Sequence, residues 1–152
     1  MVTVTQIEPG QADAQRLIKE LDAYQLSIYP EESNHLDSVE ALSSTNVYFV
    51  GAYKENDLLG IGAVKLMDED CRYGEIKRVY VSESARGLGI SKAIMSELEN
   101  HVLESGVNIL RLETGIHQPE AIGLYEKLGY AIRDRFGDYP DDPLSVFMQK
   151  VF

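Results

Sequence analysis

The run Val79-Tyr80-Val81-Ser82-Glu83-Ser84-Ala85-Arg86-Gly87-Leu88-Gly89-Ile90-Ser91 constrains the fold more than any other part of the chain. β-Branched and aromatic residues give way to a glycine-containing loop. The loop then opens a helix whose apolar positions recur at Ile90, Ile94, Leu98 and Val102. A strand must therefore end where a helix begins, with a tight turn between them. The first turn of a helix carries N–H groups that lack intrahelical acceptors, and its dipole favours anions. Gly87 and Gly89 have no Cβ, so a phosphate can approach the main chain closely. Arg86 adds a permanent cation whose fork suits phosphate oxygens. The junction predicts a pyrophosphate site. A Gly-x-Gly turn alone also serves as a plain helix cap. Two better-known phosphate loops are excluded: no Gly-x4-Gly-Lys-Ser/Thr run exists, and Lys92 stands where a dinucleotide fingerprint needs its third glycine.

The rest of the chain reads as hairpins first and a strand–helix–strand crossover later. Val2–Ile7 alternates like an edge strand, and Ala12–Ile28 is helical, with Ala14, Leu17, Ile18, Leu21 and Tyr24 on one face. A short helix is expected around Leu36–Leu42. Val47–Tyr53 and Leu58–Met67 form a hairpin across Glu55-Asn56-Asp57, and a third antiparallel strand runs from about Tyr73 to Val81. After the helix that ends near Glu104 come a strand at Ile109–Thr114 and a helix with Pro119 at its start. That helix has Ala121, Leu124 and Leu128 on its apolar face and Gly129 as its stop. Strands at Tyr130–Phe136 and Ser145–Val151 complete a mixed α/β sheet. No linker, repeat or low-complexity segment divides it, so residues 1–152 are expected to form a single domain.

The net charge of −11 argues against nucleic acid and anionic membrane as partners, since both require basic patches, and it favours a cationic amine. No apolar run approaches the length of a membrane span, and Met1–Gly10 lacks the features of a secretion signal, so a cytoplasmic location is expected. The single cysteine, Cys71, lies in a polar turn with no histidine nearby in sequence and is read as structural. No spacing among His, Cys and carboxylates resembles a metal site.

Two segments carry a family resemblance. Arg86-Gly87-Leu88-Gly89-Ile90-Ser91 resembles the acetyl-CoA loop Arg/Gln-x-x-Gly-x-Gly/Ala of the N-acetyltransferase superfamily called GNAT, with Ser91 where glycine or alanine is usual. Ala121-Ile122-Gly123-Leu124-Tyr125-Glu126-Lys127-Leu128-Gly129-Tyr130 resembles that family's late helix, Ala-x-x-Leu-Tyr-x-x-x-Gly-Phe/Tyr. The motifs stand in the family's order, and the resemblance covers about the C-terminal two-thirds of the chain. It implies an acyl-CoA N-acyltransferase fold, in which helices flank a central, mostly antiparallel sheet. It also implies transfer of an acetyl group from acetyl-CoA to a primary amine, small or on a protein, by direct attack in a ternary complex. The rival reading is a non-catalytic acyl-CoA-binding sensor. Homodimers are common in the family.

The resemblance also distributes roles. The N–H of Val79 would face the thioester carbonyl and that of Val81 the pantetheine arm, with Tyr80 between them on the same strand. Main-chain groups of Arg86, Gly87, Leu88, Gly89, Ile90 and Ser91 would hold the pyrophosphate. Tyr125 matches the tyrosine proposed as general acid toward the departing thiolate. Gln118 stands where many relatives carry an asparagine that touches CoA. Glu75 lies on the strand leading to the active centre, where relatives often place a base, and strand alternation puts it on one face with Lys77 and Val79. His101 reads as structural, while His117 and His35 are candidate contacts to cofactor or acceptor. The acidic run Asp138-Tyr139-Pro140-Asp141-Asp142 is expected to rim the acceptor site or to be a solvated loop.

Overall fold

The computed structural model of the protein describes residues 1–33 and 37–152. Its elements are β1 (Val2–Gln6), α1 (Ala12–Ile28), α2 (Val39–Leu42), β2 (Val47–Lys54), β3 (Asp57–Asp68), β4 (Arg72–Val81), α3 (Ile90–Glu104), β5 (Ile109–Gly115), α4 (Pro119–Lys127), β6 (Ala131–Arg133) and β7 (Ser145–Val151). One seven-stranded sheet has the order β1-β2-β3-β4-β5-β7-β6. Among the described residues only β4 and β5 pair in parallel, because α3 carries the chain from one end of the sheet to the other between them.

The apolar periodicities are satisfied on opposite faces of this sheet. Ile90, Ile94, Met95, Leu98 and Val102 of α3 pack with Val64, Ile76, Leu110, Leu112 and Tyr125. Ala14, Leu17 and Ile18 of α1 pack on Phe49, Leu58, Ile61 and Ala63. Gly62 lets α3 come this close: a Cβ there would lie 2.5 Å from Ile94 Cγ2. Tyr24, expected on the buried face of α1, is instead exposed. In α4 the buried centre is Tyr125, with Ala121, Ile122 and Leu128 packed beside it, whereas Leu124 stands at the margin. The hairpin turn is Glu55-Asn56, with Glu55 at φ +58 and Asp57 already in β3. The short second helix begins only at Val39, where the Ser38 hydroxyl accepts the Ala41 N–H, and Leu36 lies outside the described residues. The sixth strand is shorter than Tyr130–Phe136: Phe136 leaves the sheet edge to pack edge-on against Tyr73 and Phe147.

One irregularity decides the site. Ala63 pairs with Lys77 and Ile61 with Tyr80, so β4 spends three steps where β3 spends two. The extra residue is Arg78, at φ +58, and it forms a β-bulge. A bulge reverses the alternation beyond it. Glu75 and Lys77 share a face, but Val79 turns to the α3 side, against the Gly62–Ile94 contact, and Tyr80 turns toward α1. The expectation that Val79 shares a face with Glu75 is thereby corrected.

Candidate active site

Below the bulge, β4 and β5 are paired through Ile76 and Leu112; beyond that point the parallel register ends, although β4 continues to Val81 and β5 to Gly115. The strands splay, and the main-chain N–H and C=O groups of Lys77–Val81 that face β5 have no strand partner there. A cleft of ≈ 120 Å³ fills the splay. It is walled by Lys77, Arg78 and Val79 of β4, by Glu113–Gly115 of β5, by Gln118 just before α4 and by Tyr125 of α4. A second cavity of ≈ 270 Å³ shares Asp37, Lys77 and Tyr139 with the cleft and is lined further by Glu69, Tyr73, Glu75 and Asp138.

At the C-terminal end of β4 a short 3₁₀ turn, Glu83–Ala85, leads into the glycine loop. Gly87 (φ +85) and Gly89 (φ +76) both occupy the left-handed region, and no atom lies within 4 Å of where either Cβ would stand. Their dihedral angles, not crowding, call for glycine, and the space over them is free for a ligand. Gly89 is the N-cap of α3, so Ile90, Ser91 and Lys92 supply first-turn N–H groups, and no acidic residue lies in that turn to compete with an anion. The side chain of Ile90 is buried in the core, while that of Leu88 is exposed. Arg86 folds its guanidinium over the Tyr80 ring and toward the Val81 carbonyl. These features fit a pyrophosphate.

Tyr125 lines the cleft and is 8 % exposed, and its hydroxyl makes no hydrogen bond among the described residues. Burial pushes its phenol up to about 12. Gln118 caps the start of α4 and accepts a hydrogen bond from Tyr29 at 3.2 Å. The same Tyr29 hydroxyl accepts the His117 N–H at 3.1 Å, and its ring stacks on His117. His117 is thus tied to the C-cap of α1, next in sequence to the cleft-lining Gln118. His101 stacks on Tyr48 with ring centroids 3.9 Å apart, far along α3 from the glycine loop. His35 and Asn34 lie outside the described residues.

Glu75 faces the second cavity, not the splay. It is buried, accepts the Tyr139 hydroxyl at 2.5 Å and lies 3.4 Å from Lys77 Nζ. Tyr139 comes from the acidic run, which therefore lines this cavity. Lys77 also binds Asp37 Oδ1 at 3.1 Å, while Asp37 Oδ2 is buried without a hydrogen bond among the described residues. Cys71 has a cationic neighbour that its local sequence does not reveal: Arg111 Nη2 lies 3.3 Å from its Sγ while the guanidinium binds Asp70 bidentately.

Glu113 is the residue that sequence reasoning missed. It lies on β5 just past Leu112, the last residue paired with β4, walls the cleft, and accepts the Ser145 hydroxyl at 2.8 Å. Burial raises its carboxyl to about 7, outweighing the opposing Ser145 hydrogen bond and the Lys77 charge; Glu75 and Asp142 push it up further. The available signal was its position at the end of a strand adjoining the glycine-loop strand, where open α/β sheets place ligands.

The sequence model of the Acetyltransferase (GNAT) family matches residues 14–130. The chain is 40% identical over 149 residues to the IAA acetyltransferase of Azospirillum brasilense, covering 98% of this chain and 97% of that protein. A Klebsiella pneumoniae protein named as an acyl-CoA N-acyltransferase superposes with a TM-score of 0.83 at 36% identity, over 99% of this chain and 97% of that one. The PaiA N-acetyltransferase of Thermoplasma acidophilum, solved in complex with coenzyme A, shares the fold at a TM-score of 0.74 and 17% identity, over 100% and 99% of the two chains.

Proposed function

Because this chain belongs to the GNAT acetyltransferase family, we propose that it transfers the acetyl group of acetyl-CoA directly to a primary amine bound in the splay between β4 and β5. The observation that carries the reading is the meeting in one cleft of unpaired strand amides, a carboxyl poised near neutrality and a protonated phenol.

The glycine loop and the first turn of α3 hold the pyrophosphate of the donor through main-chain N–H groups. The free edge of β4, with Val79 at its centre, turns N–H groups toward the thioester oxygen, where negative charge develops. Glu113 takes the proton of the acceptor ammonium, leaving the neutral amine that attacks. The C–N bond forms, the C–S bond breaks, and Tyr125 gives its proton to the departing thiolate; the acetylated nitrogen releases its extra proton to restore the phenol, and Glu113 passes its own to solvent. In this reading Glu113 takes the role of base. Glu75 instead orients Tyr139 and Lys77 along the wall of the second cavity, which receives the body of the acceptor. No acyl-enzyme is required, so no nucleophilic side chain is asked for.

Calorimetric titration with acetyl-CoA, followed by a panel of amines scored for free CoA release, tests the reading. IAA, for which the Azospirillum relative is named, is tested beside the amines although it carries no primary amine. Binding that Gly89→Glu abolishes, with CoA released only when an acceptor is present, supports direct transfer. Binding without release across polyamines, amino acids, aminoglycosides and peptide amines would favour a sensor.

A further inference from the structure

We propose that Arg78 is a positioning residue: it ties the polarising edge of β4 to the acceptor-side wall of the cleft, an inference that rests on the role given to that edge above. Arg78 is the bulge residue itself, at φ +58, where a glycine would sit without strain. The arginine contributes a guanidinium that a glycine lacks, on a side chain 4 % exposed. Nε and Nη2 donate to the Asp37 carbonyl oxygen at 3.2 and 2.7 Å, and Nη1 donates to Asp22 Oδ1 at 2.5 Å.

The partners come from two different places. Asp22 belongs to α1, and Asp37 lies just before α2, on the wall shared by the cleft and the second cavity. The neighbouring Lys77 holds the Asp37 carboxylate, so consecutive residues of β4 grip both the main chain and the side chain of one acceptor-wall residue. The bulge that frees the β4 amides is thus braced by the elements that enclose the acceptor. Three directed donors are needed for this. A lysine carries its donors on a single nitrogen and lacks the planar fork that here meets the Asp37 carbonyl and the Asp22 carboxylate from separate nitrogens.

A purely stabilising role would be uniform across the fold; a positioning role is read at the thioester carbonyl. Acetyl-CoA labelled with ¹³C at that carbonyl is bound to the wild type, Arg78→Lys and Arg78→Gly, and CoA affinity is measured in parallel by calorimetry. Glycine accepts the bulge dihedral, so any effect of Arg78→Gly reports the lost ties and not a deformed turn. The bound carbonyl resonance, moved downfield in the wild type, is expected to return at least about halfway to its free position in both variants. CoA affinity stays within about threefold, and turnover with a reactive amine from the panel falls at least about tenfold at nearly constant KM for acetyl-CoA. Asp22→Asn, which keeps the arginine, gives a smaller return and serves if Arg78→Gly does not fold. Variants with wild-type affinity and an undiminished displacement overturn the proposal. A wild type that binds acetyl-CoA with no displacement removes the polarising edge, and the proposal with it, and the wild-type arm alone identifies that case.

Discussion

Replacing Glu113 by glutamine separates stability from catalysis in opposite directions. Burial raises this carboxyl from 4.5 to about 7 in the folded protein, the reverse of the usual paired carboxylate. Below the unfolded value both states hold the proton, so the wild type and E113Q start level in stability there. Between 4.5 and 7 the unfolded chain has lost a proton that the folded chain keeps, so wild-type stability declines as pH rises, and the deficit is complete above 7. The full shift corresponds to about 3 kcal/mol at about 1.4 kcal/mol per unit; since Glu113 is only half-buried and faces the cleft, about 2 kcal/mol is the working figure. Glutamine keeps the acceptor for Ser145 and removes the charge. Thermal unfolding of E113Q at pH 8 is therefore expected about 4–8 °C above the wild type, with the gap closing toward pH 4.5. Activity moves the other way. Wild-type kcat/KM rises through pH about 7 as the base is freed, while E113Q loses that limb and falls about 10²–10³-fold at pH 8. An E113Q enzyme with wild-type turnover and an unchanged limb would refute the assignment of Glu113 as base.

Three other variants extend the test. Tyr125→Phe is expected to lower kcat by about 10–10³-fold while leaving acetyl-CoA affinity nearly unchanged, and unchanged turnover near neutral pH would remove the phenol from the acid role. Lys77→Met withdraws a cation that holds Glu113 down, so the ascending limb of the pH–rate profile should move to higher pH; a limb moving down would contradict the electrostatics. Gly89→Ala meets no atom but must adopt φ +76, so it should cost about 1–2 kcal/mol, seen as a lower unfolding temperature, and weaken acetyl-CoA binding in calorimetry.

The parts of this site that were legible in the sequence are those built from local chemistry. Gly87 and Gly89 announce themselves because their left-handed dihedrals favour glycine, and the Ile90–Val102 stripe because a helix repeats every 3.6 residues. The bulge was not legible. Arg78 carries no turn signature, and its dihedral is held by Asp22 and by Asp37, 56 and 41 residues away in sequence. Missing one residue in the register reversed every side-chain assignment beyond it, which is why Val79 was placed with Glu75. Glu113 was overlooked for a related reason: nothing in Arg111-Leu112-Glu113-Thr114 says that pairing with β4 stops at Leu112.

The splay explains why a carboxyl and a phenol can divide the proton traffic between them. The same cause, removal from water, raises both groups, but from different starting points. A carboxyl lifted to about 7 exchanges its proton at working pH and is basic enough to draw one from an acceptor ammonium. A phenol lifted to about 12 stays protonated throughout that range and has only a donor's role open to it. Moving either residue to solvent would return the carboxyl to a weak base and bring the phenol closer to ionisation. In the proposed reaction, burial in the gap beyond the Arg78 bulge would set the direction in which protons move, from acceptor to Glu113 and from Tyr125 to thiolate.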